Sequence, residues 1–139
     1  LIERTDMISR IIDCLCISKS EKQTHDFSTM EWLSMLTTLS AQDAFRKVSK
    51  GEADREEVIS FLLKNDSFPR SVYRALLIIE ECLKNLPKSK KLLLMNSKII
   101  KKCERSRLDN YDDLKLHLFL ENLEKDLSKV DLKIQSIYF

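Results

Sequence analysis

The chain has 139 residues, 43% of them apolar and 33% charged, with a net charge of +2. That is enough for one domain with a real core and too little for two ordinary ones. One glycine and two prolines argue against a sandwich or barrel, whose turns need many more, and no run approaches the roughly 18 apolar residues of a membrane-crossing helix.

Residues 2–18 read as a helix, with Ile8, Ile11, Ile12 and Leu15 in one apolar stripe and Glu3, Asp6, Arg10 and Asp13 on the other side. Arg4 falls within that stripe, one and two turns from Ile8 and Ile11. A cation there needs a partner or a route to water, so Arg4 is expected to be at least half buried and paired. Residues 19–26 are polar and read as a loop. Ser28 and Glu31 form a capping box, flanked by Phe27 and Trp32 at the positions of a hydrophobic staple, and open a helix to about Leu39. Ser40 and Asp43 repeat the cap more weakly before a third helix to Lys50, where Gly51 is placed to end it. Asp54 and Glu57 open a fourth, carrying Val58, Ile59, Phe61 and Leu62.

Asn65-Asp66-Ser67-Phe68-Pro69 separates that helix from the next, with the proline in a first turn. Val72, Leu76, Ile79, Leu83 and Leu86 then form a stripe that Pro87 breaks, with Cys82 beside it. A basic helix follows over about 88–107, with Leu92, Ile99 and Cys103 as its core side. Asn110 and Asp113 cap a last helix of at least 24 residues (about 36 Å). Its stripe is Leu116, Phe119, Leu120, Leu123, Leu127, Val130, Ile134 and Ile137. The fold class is therefore all-α: a single-domain bundle of six to seven helices with a long C-terminal helix.

Chemistry-bearing residues are sparse. Cys14, Cys16, Cys82 and Cys103 form no CxxC pair and do not cluster with His25 or His117, so no metal site is expected, and reduced, buried thiols are. Both histidines read as solvated surface residues. The lone glycine excludes a Gly-rich phosphate loop. Adjacent acids such as Glu56-Glu57 and Asp112-Asp113 sit at helix starts, where the dipole favours them. No catalytic residue and no cofactor is expected. Nine basic residues and one acid, Glu104, lie between Lys84 and Arg107. No aromatic residue interleaves with those lysines, so nucleic acid is not the expected partner, although binding through this helix stays an alternative. Arg4 and Arg70 are the unusual cations; Arg70 reads as sitting in a helix first turn, against the dipole. Glu3, Asp6, Asp66, Glu80 and Glu81 are the candidate partners for these two cations.

The segments from Leu1 to Asp13, Trp32 to Arg46, Val58 to Val72 and Ile137 to Phe139 resemble the bacterial alpha-E domain proteins. The pattern Glu3-Arg4-x-Asp6-Met7-x-Ser9-Arg10 and the run Phe68-Pro69-Arg70-Ser71-Val72 carry the resemblance, which covers nearly the whole chain. It implies an all-helical protein of unestablished function, associated at operon level with ATP-grasp ligases and transglutaminase-like proteins in peptide ligation or modification. It brings no catalytic residues with it. Members typically have two related halves, each opened by a Glu-Arg helix, and this chain resembles the second half only. Thr5 and Ile8 stand where alanine and threonine are common, and the basic helix is richer in lysine. Leu1 is neither an initiator nor a cap, so the sequence reads as starting inside a helix, as a fragment or a half completed otherwise.

These readings converge on a non-catalytic accessory or interaction module of an ATP-grasp-linked system, cytoplasmic because no secretory leader is apparent and no span crosses a membrane. The alternative is a peptide- or anion-binding enzyme half-site using Glu3, Arg4, Asp6, Arg10, Asp66, Arg70 and Ser71. A homodimer is a further expectation, with Leu77, Ile78, Leu114, Leu118 and Leu132 as the uncovered apolar positions.

Overall fold

A computed structural model describes residues 1–21 and 29–139, with side chains for 1–15 and 29–139. Among them all regular structure is helical: α1 (Ile2–Glu21), α2 (Thr29–Thr38), α3 (Gln42–Val48), α4 (Arg55–Lys64), α5 (Val72–Lys84), α6 (Lys90–Arg105) and α7 (Asp113–Tyr138), with a 3-10 turn at Leu108–Asn110. The expected staple at Phe27, the Ser28 cap, His25 and the Cys16 side chain lie outside the described residues.

Four helices close a ring: α1 packs on α7, α7 on α6, α6 on α5, and α5 on α1. α4 packs on α5 and α6, α2 packs on α4, and α3 packs on α2 with Phe45 against Phe61 of α4. Contacts of Asp13 with His117 and Arg10 with Glu124 run α1 antiparallel to α7. In α7 five of the eight stripe positions, Leu116, Leu120, Leu123, Leu127 and Val130, are buried in the same core as Ile12, Leu76 and Leu92, while Phe119, Ile134 and Ile137 are only partly buried against it.

In α1 the buried face is turned from the expected stripe. Thr5, Ile8, Ser9 and Ile12 are buried, Ile11 and Leu15 only partly, and Arg4 is exposed rather than held inside. The Thr5 and Ser9 hydroxyls donate to the carbonyls of Leu1 and Thr5, both at 3.0 Å. Each is satisfied within its own helix, so a small polar side chain enters the core at little cost.

Several helix ends differ from their sequence signals. Ser40 takes a left-handed φ of 51°, its N–H donating to Thr37 and that of Ala41 to Leu36. This is a Schellman motif that ends α2, and Ala41, not Ser40, precedes α3. Gly51 lies beyond the end of α3, at the extended Ser49, and has no positive φ. Asp54 caps α4 as expected, accepting from Glu57 N–H at 2.8 Å. The Asn65 side chain accepts from the N–H groups of Ser67 and Phe68, folding the corner before α5. α5 starts only at Val72 behind its N-cap Ser71, so Pro69 and Arg70 precede the helix rather than opening it. Asp112, not Asn110, caps α7, accepting from Lys115 N–H. Leu86 and Cys82, placed on the core side by their spacing, are exposed, the first because α5 has already ended at Lys84.

Candidate functional site

The Glu-Arg pair opening α1 points outward. Glu3 and Arg4 are both exposed, and among the described residues neither makes a hydrogen bond or ion pair. One turn on, Arg10 Nε donates to Asp6 at 2.7 Å, and its Nη2 lies 3.8 Å from Glu124. Further along the same seam His117 Nδ1 meets Asp13 Oδ1 at 2.7 Å. His117 is thus a partly buried bridge between first and last helices, not a solvated residue.

Glu124 is the strained member of this cluster. Its Oε1 is buried without a hydrogen-bond partner among the described residues. Burial pushes its carboxyl above the ordinary range; Asp6, Asp13 and Glu121 add to this and Arg10 opposes it. The unfolded chain releases this proton at lower pH than the native one, so stability falls as pH rises through the window between the two values. Glu124→Gln should therefore gain about 1 kcal/mol at pH 7. The gain should vanish below the ordinary carboxylate range. Thermal melts at pH 4 and pH 7 check this, and an equal shift at both would refute the assignment.

The second group of candidates is occupied within the fold. Arg70 Nη1 donates to the carbonyls of Leu39 at 3.1 Å and Ser40 at 3.4 Å, at the C-terminal end of α2, where a cation is favoured. The fully buried Ser71 hydroxyl donates to the Asn65 carbonyl and accepts from Arg74 N–H at 3.1 Å. Asp66 accepts from Ser67 Oγ. Among the described residues no hydrogen bond or ion pair joins Glu3, Arg4, Asp6 or Arg10 to Asp66, Arg70 or Ser71.

The fold also assembles a surface that spacing did not reveal. A groove of about 420 Å3 between α6 and the start of α7 is lined by Lys98, Lys101, Lys102 and Arg105, with the rings of Tyr111 and Phe119 beside them. The rings meet edge to face, centroids 5.9 Å apart. Lys102 pairs with Asp126 at 2.5 Å. The aromatics come from beyond the basic helix, which is why reading along the lysines misses them.

Cys103 is buried, and burial pushes its thiol up to about 11, which keeps it protonated and unreactive at neutral pH. Cys14, like Cys82, is exposed. Among the described residues no group of three or more His, Cys, Asp or Glu could hold a metal ion, and no helix is long and apolar enough to cross a membrane.

Comparison with curated proteins and with solved structures gives no match. The family model of Alpha-E, described as a predicted alpha-helical domain with a conserved ER motif, matches residues 1–139, and the chain belongs to that family.

Proposed function

We propose that the chain is a non-catalytic interaction module that serves a cytoplasmic ATP-grasp-linked peptide ligation or modification system, and that Glu3 and Arg4 form its contact. The observation that carries the reading is the contrast between the two candidate groups. Arg70 and Ser71 are spent on helix ends, whereas Glu3 and Arg4 stand exposed on a long helix without a partner among the described residues. Exposed charges of this kind add little to folding. An acid beside a base on a rigid helix does offer a partner a specific pattern of opposite charges, which sets orientation and association rate.

The test is co-purification with an ATP-grasp ligase of the same organism, using the native chain and a double charge swap, Glu3→Lys with Arg4→Glu. The swap should leave the melting temperature within about 2 °C of the native value, since both sites are exposed. It should weaken association about tenfold or more. A swapped chain that binds the ligase as well as the native one, or a native chain that does not bind it, overturns the reading.

A further inference from the structure

We propose that the groove between α6 and α7 binds nucleotides, taking phosphate on Lys98, Lys101 and Arg105 and a base against the rings of Tyr111 and Phe119. Positions 98, 101, 102 and 105 share one face of α6, because residues three, four and seven apart line up on a helix. Like charges at these spacings repel and weaken the helix. Only Lys102 is neutralised, by Asp126. Among the described residues the other three have no acidic partner, and no acid lines the groove. Glu104, the one acid on α6, instead accepts from the Tyr73 hydroxyl at 2.8 Å.

A concentration of unpaired cations alone would suit any polyanion. The rings narrow the class. Tyr111 and Phe119 are only partly buried, so part of each stays open to the groove. The main chain at Tyr111 is also held: Arg55 Nη1 donates to its carbonyl at 3.1 Å and Arg55 Nη2 bonds Asp113 at 2.8 Å. Cations beside aromatic rings are the combination by which proteins hold nucleotides without reading sequence, the cations taking the backbone and the rings the bases. A volume of about 420 Å3 falls within the range of small-ligand sites. The ligand chemistry, phosphate joined to a flat base, has two sources: a free nucleotide or a single-stranded nucleic acid.

Fluorescence anisotropy of a labelled ten-residue oligothymidylate with the full chain tests this, with ATP, inorganic tripolyphosphate, poly-glutamate and duplex DNA as competitors. Binding is expected to weaken with salt in proportion to the phosphates engaged. Lys98→Glu with Lys101→Glu should weaken it at least tenfold. Tyr111→Leu should weaken it by about fivefold or more through lost stacking, with the melting temperature measured alongside each variant. ATP should compete better than tripolyphosphate, which carries the same phosphates without a base. Oligothymidylate binding more than tenfold tighter than ATP points to a strand, and the reverse order to a free nucleotide; either supports the site. The proposal fails if neither probe binds at 100 µM in low salt, or if the double charge reversal leaves binding unchanged. It fails equally if tripolyphosphate, poly-glutamate or duplex matches the oligonucleotide, because charge alone would then explain the binding.

Discussion

Leu123→Ala should cost about 3–4 kcal/mol of folding free energy and lower the melting temperature by roughly 10–15 °C. Leu123 has no exposed surface and belongs to the row that α7 turns into the core. Removing its branch loses the transfer energy of the buried atoms and leaves a cavity that its neighbours close only in part. The contrasting substitution is Leu132→Ala on the same helix, at a position 64% exposed, where a change within about 0.5 kcal/mol is expected. Urea titrations of both variants at two protein concentrations check the pair. A large, concentration-dependent loss at Leu132 would show that a second copy covers that leucine in solution. Between Leu118 and Leu132 the outward side of α7 carries Glu121, Lys125 and Lys129, with Lys125 bonded to Glu121, so a pairing face that took in both leucines would bury charge.

The other large effect is expected at Ser9. Ser9 is fully buried where α1 meets its neighbours, and its hydroxyl is satisfied inside its own helix. Ser9→Leu should cost about 3 kcal/mol, because the extra carbons have no room and α1 must shift or the side chain must leave its preferred rotamer. Ser9→Ala should be neutral within about 0.5 kcal/mol: it gives up a local bond that slightly disfavours the helix and gains helix propensity. Chemical denaturation of the two variants separates size from polarity. A Ser9→Leu chain as stable as the native one would mean that α1 sits loosely on the bundle.

These two sites also mark where the sequence was legible. α7 could be read because its apolar residues recur over many turns and every turn votes for the same face. α1 could not be oriented in the same way. Its true core face includes Thr5 and Ser9, which look polar by type and become inert only through bonds to their own backbone. Counting apolar residues therefore turned the helix too far and drew Arg4 inward. The cap at Asp54 was legible, the backbone-made end at Ser40 was not, and at Ser71 and Asp112 the capping side chain lies two residues from the start that the sequence suggested. Arg70, His117 and the groove below Lys98 were misread or missed for a different reason. Their partners are the α2 carbonyls, Asp13, and the rings of Tyr111 and Phe119, and only the fold brings them together. Glu3 was marked only by the resemblance, whereas Arg4 was marked first by its place in the apolar stripe, which gave it the wrong environment.

The seam between α1 and α7 has a consequence for how the chain is made. It joins residues 104 positions apart, Asp13 and His117, whereas the α5–α6 pair closes across only 20, from Asn96 to Leu76. Short loops close at lower entropic cost than long ones, so α5 and α6 meet early and α1 waits. On the ribosome the buried face of α1 emerges well before α7, the helix it packs on most. The side of α1 that packs on α7 stays open to solvent, or to a chaperone, until α7 is released. A nascent chain stopped at Asp112 would hold six of the seven described helices and still lack the one that completes the ring around the core.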